Sequence, residues 1–224
     1  YMFWTLTDKD GNFTIKNVRK GNYALRAYAT KGDITDELQK KDITVDSETT
    51  DLGIIDWTPA CYENKLFQIG ENNRMSDGFN LSDHIRAYGL WEQLPANLTF
   101  TAGVSNEKTD WYYAQGKNGT WTVKFNCPQT YSGNAHLTIS AAGVTNSPKL
   151  AIAVNGSTVA NWAPSPNDAA IYRSAVLGGR HRLYTISFPA STLKKGENTI
   201  QRIFNYKYPY EYNGNFEEIL RRKD

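Results

Sequence analysis

Apolar and polar residues alternate along most of this chain. In its second half, Thr120 to Phe125 (TWTVKF), Ala135 to Ala141 (AHLTISA), Lys149 to Asn155 (KLAIAVN), Leu183 to Phe188 (LYTISF) and Asn198 to Phe204 (NTIQRIF) all repeat with period two. Such a period sends every second side chain to one face of an extended strand, so the pattern predicts at least five half-buried strands. Asn155-Gly156, at the end of the third run, is a hairpin signal, because Asn-Gly supplies the positive φ values of a tight reversal. No stretch of ten residues or more follows the helical period, which favours an antiparallel jelly-roll over any α/β fold.

The first 57 residues have a shorter rhythm, with turn residues every eight to twelve positions, as in a small β-sandwich. YMFWTLT reads as a strand, Asp8 to Asn12 as a hairpin turn, and Phe13, Ile15 and Val18 as further core. Tyr23, Leu25 and Ala27 alternate with polar neighbours, Ile43 and Val45 mark another strand, and Asp51 to Trp57 a last one. Thr58-Pro59 stops it, because proline cannot donate to a ladder. The Asp-x-Asp-x-Asn spacing at 8, 10 and 12 also matches the first half of an EF-hand loop, but Phe13 and Arg19 hold the positions that need Gly and Glu. A turn is the better reading.

Between the two regions, Leu66, Phe67 and Ile69 are too apolar for a free tether. The expected organisation is therefore a sandwich over 1–58, a packed linker over 59–87 and a jelly-roll over 88–224.

Composition narrows the class. With 40% hydrophobic and 13% aromatic residues the chain is globular, and no 18-residue apolar run is present to form a membrane helix. A net charge of +2 is too balanced for a nucleic-acid binder. Cys61 and Cys127 belong to no CxxC pair, so zinc and redox motifs have no support and both read as small hydrophobes. Opening at Tyr1 inside a strand pattern, the sequence is expected to be a fragment.

Candidate chemistry concentrates in two places. The stretch from Tyr88 to Gln115 gathers Tyr88, Trp91, Trp111, Tyr112 and Tyr113 with Glu92, Glu107, Lys108 and Asp110. Rings beside carboxylates and amides suit a sugar, whose C–H faces stack on aromatics while its hydroxyls need fixed donors and acceptors. The competing reading places those rings in the sandwich core. Further on, Arg180-His181-Arg182 follows Gly178-Gly179, close to Asn167, Asp168, Tyr172 and Arg173. Guanidinium forks bind uronate carboxylates in pairs of hydrogen bonds; a salt-bridged structural patch is the equal alternative. His136 reads as a satisfied strand or surface residue. No Ser/His/Asp arrangement, phosphate-cradling glycine loop or HExxH is present.

Several motifs carry a resemblance. FWTxxDxDGNFTIxNVRxGNYxLxAYA, followed by DLGxIDWTP, resembles the fibronectin-III-like second domain of family 4 polysaccharide lyases. KLFQIGENNRMSDGFN is similar to the connecting segment of that family, with Phe67 where Trp is usual and Asn73 where Asp is usual. YGLWE, DWYYAQ, TWTVKF, AIAVNG, NDAAIYRSAVLGGRHRLY and FPASTLKKGENTI resemble its third, carbohydrate-binding-module-like domain. The ending differs: such domains close with a VMYDxxRLE-type strand, whereas here NYKYPYEYNGNFEEILRRKD follows, in which Tyr206, Tyr208, Tyr210 and Tyr212 alternate and the charged stretch Glu217 to Asp224 reads as a solvated tail or short helix.

The resemblance implies an all-β chain in two domains that accompanies a catalytic domain and contributes to binding of rhamnogalacturonan. It also implies an extracellular or periplasmic setting. In the family, β-elimination uses a Lys and a His of the first domain, and no position here matches them, so this chain is expected to be catalytically silent alone. No cofactor is required; a structural calcium held by backbone carbonyls and an Asp or Glu is the one metal the resemblance suggests. Trp91, Trp111, Tyr112, Tyr113, Asn167, Asp168, Tyr172, Arg173, Arg180 and His181 are the expected carbohydrate contacts.

Overall fold

The computed structural model describes residues 3–29, 36–61, 64–71, 76–82, 90–143, 148–163, 181–205 and 214–222. The chain is all-β and divides into two compact units, Tyr1–Cys61 and Tyr62–Asp224.

In the first unit, β1 (Gly21–Ala29) pairs antiparallel with β2 (Asp36–Val45), in register from Gly21 opposite Val45 to Ala29 opposite Asp36. A bulge interrupts the ladder between Tyr23 and Leu25. Asp42, on the partner strand there, takes a φ of 62°, a conformation Asp tolerates better than most residues. Arg26 and Glu37 form an ion pair between the two strands. The turn at Asp8 forms: its Oδ1 accepts from Asp10 N at 2.9 Å and Asn12 N at 2.8 Å, and its Oδ2 from Asn12 Nδ2 at 3.1 Å. Those bonds, the Asn12 side chain's first, hold the Asp8 carboxyl below its ordinary range. All the donors are local, as in an Asx turn.

YMFWTLT and Asp51–Trp57 differ from expectation, since neither makes strand pairing among the described residues. Ile43 is the one buried hydrophobic of this unit among them, while Leu6 is 80% and Ile54 92% exposed. A two-stranded sheet with so little burial is marginal by itself. Limited proteolysis of the chain should therefore cut first within residues 1–61 and leave a resistant fragment beginning near Tyr62, read by mass spectrometry. First cuts inside the strands of the second unit would contradict that order.

The second unit holds two five-stranded sheets. One runs β4 (Leu98–Thr101), β6 (Gly119–Cys127), β11 (Gly196–Phe204), β8 (Leu150–Val154), β9 (Ser157–Trp162). The other runs β10 (Arg182–Pro189), β7 (Asn134–Gly143), β12 (Gly214–Arg222), β3 (Phe67–Ile69), with β5 (Ala114–Gln115) also on β12. All pairings are antiparallel except β4 with β6. The five strands predicted from period two are all present. Asn155 and Gly156, at φ 49° and 83°, turn β8 into β9.

The core follows from alternation: Trp121, Val123, Phe125 and Cys127 of β6 point inward, as do Ala135, Leu137, Ile139 and Ala141 of β7. Cys127 is buried and Cys61 exposed, and both are free. Two segments depart from the sequence reading. Phe67, Ile69 and Phe79 of the expected linker belong to the core of the second unit, and Phe67–Ile69 is a strand. Gly70, with φ 74°, makes this possible, because a Cβ there would lie 2.3 Å from the Phe79 ring. The charged end is not a helix over its described residues, since Gly214–Arg222 is a strand paired with β7 on one side and with β3 and β5 on the other.

Candidate carbohydrate-binding site

The aromatic stretch is built on a short helical turn, α1 (Glu107–Asp110). Asn106 caps it by accepting from Lys108 N at 2.9 Å, and Asp110 Oδ2 accepts from Asn106 N at 2.8 Å. The backbone then extends, and Asn80 clamps it: Asn80 N donates to Trp111 O at 2.8 Å, and Tyr113 N donates to Asn80 O at 3.2 Å. Glu107 ties the same turn to the former linker by accepting from Gly70 N at 2.8 Å.

Extended backbone puts Trp111 and Tyr113 on one side and Tyr112 on the other. Trp111 is fully buried and Tyr113 nearly so; Tyr112 is half-buried against the core. The Trp111 ring meets Phe100 edge-on at 5.7 Å and Trp121 at 5.1 Å. Trp111 and Tyr113 are therefore core residues and offer no face to a sugar, which corrects the expectation. The favoured edge-to-face geometry explains why so many rings share one volume.

At the centre of this cluster stands a residue that the sequence reading passed over. Arg202 is 1% exposed, its guanidinium lies 5.6 Å from the Trp111 ring centroid and 5.1 Å from that of Trp121, and its Nε donates to Gln115 Oε1 at 2.6 Å. A signal was available: Asn198, Ile200, Arg202 and Phe204 share one parity on β11, so the charge falls in an inward row.

His181 also turns inward. It is 2% exposed, and its Nε2 is 2.8 Å from Ser140 Oγ, itself buried on β7. Arg182 Nη1 donates to the His181 carbonyl at 2.7 Å. His181 thus fills a structural position where an open anion contact was expected, because its hydroxyl partner lies within the sheet. His136 is half-exposed, with Nδ1 2.9 Å from Ser187 Oγ across the β7/β10 pair. Trp91 lies in the turn Leu90–Gln93, and its ring is outside the described residues. Tyr88, Asn167, Asp168, Tyr172, Arg173 and Arg180 also lie outside them. Among the described residues no three His, Cys, Asp or Glu side chains gather into a metal site, so they supply no side-chain cage for calcium.

Residues 65–212, more than half the chain, match the sequence profile described as polysaccharide lyase family 4, domain III, and residues 1–52 match that of domain II. The chain belongs to polysaccharide lyase family 4. Among its relatives, a rhamnogalacturonate lyase of Dickeya dadantii is 38% identical over 210 residues, covering 89% of this chain and 35% of that protein. A probable rhamnogalacturonate lyase A of Aspergillus flavus is 28% identical over 209 residues, covering 88% of this chain and 38% of that protein. The chain thus spans little more than a third of either relative's length. A family 35 carbohydrate binding module from an environmental isolate aligns with 46% of this chain and 64% of its own, at 15% identity and a TM-score of 0.31, too distant to carry an argument.

Proposed function

We propose that these two units are non-catalytic accessory domains of a rhamnogalacturonan lyase, supporting its catalytic domain and contributing to the binding of the acidic polysaccharide outside the cytoplasm. The observation that carries the reading is the pair of family matches, domain II and then domain III, on a chain about a third the length of the lyases it resembles. The buried state of Trp111, Tyr113 and His181 supports a supporting role over that of a free-standing, ring-lined sugar trap.

β-Elimination needs a base for the proton at C5 of galacturonate and positive charge against its carboxylate. Of the three histidines, His181 is buried against Ser140 and His136 hydrogen-bonds Ser187, while His84 lies outside the described residues. Incubated with rhamnogalacturonan, this chain should give no unsaturated product by ultraviolet absorbance. Isothermal titration with oligosaccharides of the same polymer should show weak binding only, about millimolar. Tight binding would mark an independent carbohydrate-binding module, and eliminase turnover would overturn the reading.

A further inference from the structure

The sheet β4-β6-β11-β8-β9 keeps its rings on the core side, and its other side has a distinct composition. Register aligns Thr99, Thr122, Gln201, Ala153 and Thr158 in one row across all five strands. Thr99 and Thr158 are exposed, and Thr122 and Gln201 half-buried. Ala153 is 2% exposed yet takes no part in the hydrophobic core cluster, so its flanking side chains cover it. The adjoining row holds Thr101, Lys124 and Thr199. At the usual strand spacing the five-residue row runs about 19 Å.

Three properties suit this face to a glycan. Threonine is stiff at χ1, so its hydroxyls are positioned before any ligand arrives and little side-chain entropy is lost on binding. Hydroxyl and amide groups both donate and accept, as a sugar's hydroxyls require. Charge complementarity is supplied by Lys124, the one ionised side chain in these two rows. Its contact with Glu197 is 3.8 Å long between groups 41% and 69% exposed, a pair too weak to neutralise it.

We propose that this outer face receives a galacturonate-containing chain, with the Thr122/Gln201 row hydrogen-bonding sugar hydroxyls and Lys124 meeting a uronate carboxylate. This rests on the accessory-binding reading and names the surface it would use. The test is a titration of the full chain, labelled at threonine methyl groups, with rhamnogalacturonan oligosaccharides to millimolar concentration. Thr99, Thr101, Thr122, Thr158 and Thr199 should shift together, while Thr185, exposed on the opposite sheet, stays still. Lys124→Gln should weaken binding of the acidic oligosaccharide about tenfold, the worth of one charge-assisted hydrogen bond, and leave binding of neutral galactan and the Tm unchanged. Shifts confined to Thr185 or the first unit would overturn this surface while leaving glycan binding intact. Silence at every methyl would remove both.

Discussion

Replacing Arg202 with alanine should destabilise the second unit by about 3–5 kcal/mol, the combined size of a lost cation–π contact, an orphaned buried acceptor and a cavity. Three effects add. The guanidinium stands within 6 Å of both Trp111 and Trp121, and a desolvated cation over an indole face contributes about 2 kcal/mol. Gln115 Oε1, in a side chain 2% exposed, loses its 2.6 Å donor, and an unsatisfied buried acceptor costs about 1–3 kcal/mol. Truncation also leaves a cavity between two tryptophans that face each other edge-on. A domain is typically stable by only about 5–15 kcal/mol, so the loss should appear as a large drop in the urea midpoint.

Arg202→Met keeps the volume and should recover part of that loss. Arg202→Lys should recover less, since an ammonium has neither the planar fork nor the flat face for stacking on indole. A double-mutant cycle with Trp111→Phe should give a coupling of about 1 kcal/mol or more. A midpoint unchanged in Arg202→Ala would show that the guanidinium is a passenger in this core.

The second large effect is expected at Asn198, whose side chain uses its whole hydrogen-bonding capacity at 1% exposure. Its Oδ1 accepts from Asn155 Nδ2 at 2.8 Å and Lys194 N at 2.9 Å, and its Nδ2 donates to Lys194 O at 2.7 Å and Gly196 O at 2.9 Å. Asn155 extends the knot, accepting from Thr199 N and donating to Thr192 O, both at 2.9 Å. The β8–β9 turn is thereby fastened to the segment entering β11. Asn198→Ala orphans several buried groups and should cost about 3 kcal/mol.

Asn198→Asp should be worse near neutral pH, although it preserves shape. It turns a donor into an acceptor facing the carbonyls of Lys194 and Gly196 and buries a charge among them. Both effects favour the protonated carboxyl and raise its pKa in the folded state. The deficit should therefore shrink as pH falls through that raised value, whereas the alanine variant gains nothing. Paired thermal melts across acidic pH give the readout. An aspartate variant no less stable than the alanine variant at neutral pH, with a pH-independent gap between them, would contradict the assigned amide orientation.

How much of this was legible beforehand depends on the range of the interaction. TWTVKF, AHLTISA and NTIQRIF declared their strands because burial of one sheet face writes a period of two into the sequence. Asn155-Gly156 declared its hairpin because few residues accept two successive positive φ values. Each is a local requirement. Gly214–Arg222 escaped because its charges resemble a solvated tail, while its strand character comes from backbone pairing with β7 and β3, far upstream. Asp51–Trp57 erred the other way: its apolar residues suit a strand, but no ladder partner meets them among the described residues.

The candidate site divides along the same line. Sequence alone determined that Trp111, Tyr112 and Tyr113 cluster near acidic groups, and that neither a nucleophile-base arrangement nor a zinc motif accompanies them. Only the tertiary structure decided that Trp111 and Tyr113 face Arg202 and the core instead of solvent, and that Thr99, Thr122, Gln201 and Thr158 come into one row. The reason is physical. An extended segment specifies that alternate side chains part company, and which side becomes the interior is settled by the sheet that packs against it.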